Sequence, residues 1–233
     1  MKKIPLVLVP GLLCNDSLWQ SQMSGLRDIA DSWVADHTRS ATMAGVAADI
    51  LADAPFKRFA LAGMSMGGYI ALEIWRQAPE RVMRLALLGT SARADTPAQS
   101  ARRRALIEMA SCGRFVGVST VLLPLLVHPD RMSDPLLVET VKTMARKIGA
   151  AGFIRQQQAV MSRADSLPDL TRIACTTLVM CGREDAMTPL DRHEEMAAGI
   201  RGAHLEIIER CGHLSPLERP AAVNLAMREW LLG

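Results

Sequence analysis

Gly63-Met64-Ser65-Met66-Gly67 sets a serine between two glycines, each two residues away. A serine hydroxyl is a poor nucleophile until a neighbouring base takes its proton, so the chemistry in question is acyl transfer. The five-residue pattern is short and arises by chance, and its setting gives it weight. The apolar run Phe59 to Met64 reads as a strand, and a helical pattern follows from Met66 to about Gln77. A serine on a sharp strand-to-helix turn sits in strained backbone with its hydroxyl exposed. Gly63 and Gly67 are the small residues that let strand and helix approach closely. The first turn of the helix offers free backbone N–H groups and partial positive charge to a developing oxyanion. The plainer alternative is a glycine-rich turn with an incidental serine.

Such a turn needs a sheet to carry it, and the rest of the chain supplies one. Ile4 to Val9 reads as a strand, Ser32 to Asp36 as a weak second one. Leu85 to Gly89, Thr177 to Cys181 and Leu205 to Ile208 add three more. Helical patterns lie between and after them: Asp16, as a cap, through Ile29; Thr42 to Ala54; Leu190 to about Ile200; Ala221 to Leu232. Alternating strands and helices predict an α/β fold, a mostly parallel sheet of about six strands covered on both faces. Between Asp95 and Ser166 the alternation stops. That stretch reads as four helices: Pro97 to Met109, Val118 to Leu126, Pro135 to Ile148 and Gly152 to Met161. The 233 residues therefore divide into a core, 1–94 and 167–233, and a helical insertion, 95–166.

With these pieces in place, the chain resembles the α/β-hydrolase superfamily over nearly its whole length. Pro10-Gly11-Leu12-Leu13 follows the first strand where that family has its oxyanion loop. Pro10 stands where histidine is common there, but the donor is a backbone group. Gly182-Arg183-Glu184-Asp185, with Pro189 beyond, is similar to its acid loop, and Cys211-Gly212-His213, with Pro216 and Glu218, to its histidine loop. The resemblance implies a triad of Ser65, Asp185 and His213 in the family's chain order. It also implies an oxyanion hole from the N–H groups of Leu12 and Met66, and a lid made by the insertion. The family's usual first hairpin is absent, which predicts six strands, all parallel. Neutral imidazole at His213 would take the serine proton and return it to the leaving group, held by a buried carboxylate. Asp95, after the preceding strand, is the fallback acid, and Glu184 points elsewhere on such a loop. His37, His193 and His204 read as surface or structural histidines.

The insertion and the loops suggest an apolar pocket drawn from Leu13, Trp19, Met64, Leu122, Leu126, His128, Met161 and Leu214, although plain packing of helices onto the core explains most of these types equally. Arg102-Arg103-Arg104 would meet a carboxylate-bearing substrate or form a solvated helix face. The resemblance is strongest to small-lid bacterial members, such as 3-oxoadipate enol-lactonases and the carboxylesterase of biotin synthesis. It implies a serine hydrolase acting on a small ester or lactone through an acyl-enzyme. Thioester or carbon–carbon bond hydrolysis with the same triad, or a ligand-binding receptor on the same fold, are the alternatives.

Composition excludes other classes. Lysine plus arginine number 27 against 24 aspartate plus glutamate, a net charge of +3, without the basic stripe of a nucleic-acid binder. Aromatics are 4%, too few for base-stacking platforms. The partner expected is a small-molecule substrate, with no nucleic acid and no membrane. No metal or organic cofactor is expected. Five scattered cysteines without a C-x-x-C pair suit a reducing, cytoplasmic setting. Met1-Lys2-Lys3 before the Ile4 run looks like the start of a signal peptide. No A-x-A cleavage site follows, and Leu13 is too large to precede a lipoprotein Cys14. Cleavage there would remove a central strand and half of the oxyanion hole.

Overall fold

Residues buried from both sides read as apolar runs, and these runs become the sheet. The computed structural model describes residues 3–233; Met1 and Lys2, which begin the leader-like stretch, lie outside the described residues. Strands β1 (Ile4–Val9), β2 (Ala30–Val34), β3 (Phe59–Met64), β4 (Val82–Leu88), β5 (Thr176–Gly182) and β6 (His204–Ile208) form one sheet in the order β2-β1-β3-β4-β5-β6. Every pair in it is parallel. Alternation along each strand splits the core in two. Leu6, Leu8, Ala60, Ala62, Met64 and Leu88 face one layer, and Val7, Val9, Leu61, Leu85 and Leu87 face the other.

The second layer is filled by α2 (Met43–Asp53), α3 (Met66–Gln77) and α7 (Leu190–Gly199). The first is filled by α1 (Gln20–Gly25) and, in the last stretch of chain, α8 (Ser215–Glu218) and α9 (Pro220–Leu232). Three helices lie between β4 and β5: α4 (Pro97–Ser111), α5 (Leu123–Leu126) and α6 (Pro135–Met161). α5 and α6, with the loop before them, bring Val118, Leu123, Val141, Met144 and Phe153 onto the first layer. Thr96 opens α4 with a reciprocal capping box to Gln99, and the Asp134 carboxylate caps α6 at Leu136 and Leu137. No helix among the described residues is long and apolar enough to cross a membrane.

The structure differs from the sequence reading at two helices. The helix predicted from Asp16 to Ile29 is a 3-10 turn, Asp16–Trp19, followed by α1, and its cap is Asn15, which accepts from the Ser17 N–H at 3.0 Å. Val118 to Leu126 is helical only at Leu123–Leu126, because Pro124 fits a first turn and not a helix interior. The helices predicted at Pro135 to Ile148 and Gly152 to Met161 are both present, running on from one another as the two halves of α6 across a kink at Gly149, whose φ of 67° is readily adopted only by glycine.

Candidate active site

The turn from β3 into α3 is as tight as its glycines allow. A Cβ on Gly63 would lie 2.1 Å from the Gly67 carbonyl oxygen, and one on Gly67 would lie 2.1 Å from that of Val9. Ser65, between them, has φ 57° and ψ −116°, a conformation that costs a residue with a Cβ on the order of 1–3 kcal/mol. Its N–H donates to Leu88 O at 2.9 Å, and its carbonyl accepts from the Thr90 hydroxyl at 2.8 Å. These bonds from the end of β4 hold the strained turn in place.

His213 reaches Ser65 from the loop between β6 and α8, with Nε2 2.9 Å from Oγ. Its Nδ1 lies 2.8 Å and 3.0 Å from the two carboxylate oxygens of Asp185, in the loop after β5. An ionised carboxylate only accepts, so Nδ1 carries the proton and Nε2 presents its lone pair to the serine. Asp185 and His213 are buried. Asp185 Oδ1 also accepts the N–H groups of Met187 at 2.8 Å and Thr188 at 2.9 Å, and Oδ2 accepts the Thr188 hydroxyl at 2.7 Å. Burial pushes the Asp185 carboxyl up, but the imidazole and these donors outweigh it and leave it below its ordinary value. The histidine loop has its own anchor. Buried Glu218 accepts the N–H groups of Gly212 at 3.1 Å, Leu214 at 3.0 Å and His128 at 2.8 Å.

The other acids and histidines are engaged elsewhere. Asp95 is locked between Arg103 at 2.7 Å and Arg163 at 2.6 Å. Glu184 accepts the Cys211 N–H. His193 Nε2 accepts the Thr90 N–H at 3.0 Å, and His204 is exposed beside Glu206. Neither the Leu12 nor the Met66 N–H donates to another group among the described residues. The Pro10-Leu13 loop runs against Ser65, since a Cβ on Gly11 would stand 3.2 Å from that of Ser65.

A cavity of about 70 Å³ opens beside Ser65 and His213. Leu13, Met64, Leu122, Leu126 and Leu214 line it as the sequence suggests, with Leu12 beside them. Trp19, His128 and Met161 do not. Trp19, at the end of the 3-10 turn before α1, is fully buried in the core. His128 turns away and accepts the Asp130 N–H on Nδ1. Met161 ends α6, beyond the kink, whereas the wall takes Val141 from the first half of that helix. Cys14, Val141 and Met187 also line the cavity and are absent from the sequence-based set. Val141 had a signal, since it lies four residues after Leu137 and three before Met144 on one helix face. Burial pushes the Cys14 thiol up to about 12, so it is a neutral wall group. Among the described residues no charged side chain lines the cavity: Arg103 is held by Asp95 and Gln157, and Arg102 and Arg104 are exposed.

A family model described as "Alpha/beta hydrolase family" matches residues 6–226. The chain belongs to this family. Among solved structures, the chain is similar to a thermophilic esterase from Thermogutta terrifontis, 28% identical, with a TM-score of 0.90 over 99% of this chain and 90% of the esterase. An enol-lactonase from Burkholderia xenovorans LB400 shares the fold, with a TM-score of 0.88 over 100% of this chain and 93% of its own at 21% identity. The 2-hydroxy-6-oxononadienedioate/2-hydroxy-6-oxononatrienedioate hydrolase of Escherichia coli K12 is 25% identical over 207 residues, 87% of this chain and 72% of that protein. The chain is an enzyme of the hydrolase type.

Proposed function

We propose that this hydrolase cleaves a small, uncharged carboxylic ester or lactone through an acyl-enzyme on Ser65. The observation that carries the reading is the unbroken line of hydrogen-bonding distances from Ser65 Oγ through His213 to Asp185. His213 Nε2 takes the hydroxyl proton as Oγ attacks the ester carbonyl. The carbonyl oxygen becomes an oxyanion, facing the free N–H groups of Leu12 and Met66. The imidazolium, opposed by Asp185, gives its proton to the leaving alcohol. Water then repeats the sequence on the acyl-enzyme, releasing the acid and restoring Ser65.

The apolar wall favours an uncharged acyl group. A carboxylate placed there would lose its hydration with no cation to meet it. This speaks against the dioate substrates named for the Escherichia coli relative. Residues 95–166 serve as a lid over the acyl site, and the five unpaired cysteines suit a reducing cytoplasm.

The test is hydrolysis of short-chain p-nitrophenyl esters by wild type and Ser65→Ala, together with fluorophosphonate labelling. Wild type is expected to turn over butyrate esters and to carry the label on Ser65, and Ser65→Ala to do neither. Equal rates in the two proteins would remove the serine mechanism. Tight binding of a small ligand without turnover of any ester would favour a receptor on the same fold.

A further inference from the structure

The Pro10-Leu13 loop must hold the Leu12 N–H still, yet its own geometry is unfavourable. Leu13 has φ 61°, the left-handed region that side chains with a Cβ seldom adopt. Its N–H donates to Oε1 of Gln156 at 3.0 Å. Gln156 is wholly buried and comes from the second half of α6, inside the insertion. Its other amide end, Nε2, lies 3.0 Å from Nε2 of His37, a buried residue three positions after β2. The bond from Leu13 settles which end of the amide is oxygen. With the ring proton on Nδ1, His37 Nε2 accepts from the amide NH₂; with it on Nε2, that N–H donates to Gly11 O, also 3.0 Å away, which accepts the Cys14 N–H at 3.0 Å as well.

We infer that Gln156 is the positioning residue of the oxyanion loop, with His37 orienting its amide. The inference rests on the serine-hydrolase reading, and assigns to the insertion a part in the chemistry beyond covering the acyl group. Two further bonds fix this half of α6 to the core. Arg155 donates to Thr38 O at 2.6 Å, and Ser162 Oγ accepts the Met43 N–H at 2.8 Å. The kink at Gly149 separates it from the half that lends Val141 to the cavity wall. One half shapes the acyl site while the other holds the loop that faces the oxyanion.

Gln156→Met keeps length and volume but accepts nothing from Leu13, whereas Gln156→Glu keeps an oxygen there. Both are compared with wild type as full-length enzyme on p-nitrophenyl butyrate. Active sites are counted by fluorophosphonate labelling taken to completion, and Ki is measured for a trifluoromethyl ketone, whose adduct carries the same oxyanion. Gln156→Met is expected to lose about tenfold to a hundredfold in kcat per labelled site, with KM within about twofold and Ki raised by the same factor as kcat falls. Gln156→Glu is expected to recover most of both, its carboxylate accepting from the Leu13 N–H and from a His37 ring whose proton has moved to Nε2. A lowered melting temperature with wild-type kcat per site and wild-type Ki overturns the inference and leaves the hydrolase reading standing. So does a Gln156→Glu enzyme no better than Gln156→Met. Wild type that takes no label on Ser65 overturns both. Should Gln156→Met not fold, Gln156→Asn, one methylene shorter, withdraws the oxygen from the Leu13 N–H while keeping a polar amide. A loss of kcat matched by a rise in Ki then supports the inference, and wild-type values for both overturn it.

Discussion

At the scale of the residue, the proposed chemistry depends on which nitrogen of His213 holds the proton. Asp185 imposes that choice because it accepts at both oxygens. Asp185→Asn keeps the shape but offers an NH₂ that can face Nδ1 and move the lone pair there. The imidazole would then turn an N–H toward Ser65. We expect kcat to fall about 10³- to 10⁴-fold with KM little changed, read by steady-state kinetics per folded enzyme. A loss of less than tenfold would mean that another group orients the imidazole. His193 makes a different statement, about stability. Burial pushes its imidazole down to about 4, against the opposing charge of Asp185, and its Nε2 must stay unprotonated to accept the Thr90 N–H. Above the unfolded value of about 6.5 neither state holds the proton. Between there and about 4 the unfolded chain binds it and the folded chain does not, so stability falls as pH falls. Across that window the loss is on the order of 3 kcal/mol. Burial lowers His37 too, adding in the same direction. Urea unfolding at pH 7, 6 and 5 checks this, and His193→Gln should flatten the slope. A wild-type curve level over that range would refute the neutral assignment.

At the scale of the element, the β3–α3 turn makes the sharpest demand. An alanine at position 63 would drive its methyl into the Gly67 carbonyl, which is backbone and cannot swing aside. Gly63→Ala is expected to cost on the order of 3 kcal/mol or more and to abolish fluorophosphonate labelling, since strand and helix must separate. Normal melting and labelling would show the turn to be slack. This element was legible in the sequence because glycine, serine and the flanking apolar run each report the same local geometry. Interior strands were legible for a related reason: both faces are buried, so their central residues are almost all apolar. Strand β2 lies at the sheet edge, only partly buried, and Asp31 and Ser32 blur its start. The insertion was less legible. Its helices bury one face against the core in an irregular order. Gly149 and Pro124 mark boundaries without saying whether the chain kinks or loops. Which of its apolar residues reach the cavity depends on how helices are rotated and where α6 bends, and single-residue types do not encode that. Met161 and Val141 are chemically alike in the sequence and differ only in which side of the kink they occupy.

At the scale of the whole molecule, the question is what keeps a segment of some seventy residues seated on its core. Its two ends meet. Asp95, at its start, pairs with Arg163, near its close, at 2.6 Å, and with Arg103 of α4 at 2.7 Å. Arg103 donates onward to Gln157 of α6, and the Arg163 guanidinium lies 4.3 Å from the centre of the Tyr69 ring on α3. The Asp95 side chain is 2% exposed and that of Arg163 is 7%. Buried ions in such a cluster have exchanged hydration for one another, so removing one leaves the others uncompensated. Asp95→Ala is therefore expected to cost about 3–5 kcal/mol, a drop in melting temperature of roughly 6–20 °C for a chain of this length. Asp95 touches neither Ser65 nor His213. The enzyme that remains folded at 20 °C should therefore keep kcat within about threefold of wild type per labelled site, since surviving sites are structurally intact. The two measurements separate the roles an aspartate after β4 could play. A clamp loses melting temperature and keeps turnover. If Asp95 oriented His213 instead, Asp95→Ala would lose about 10³-fold or more in kcat. That outcome would remove Asp185 from the triad.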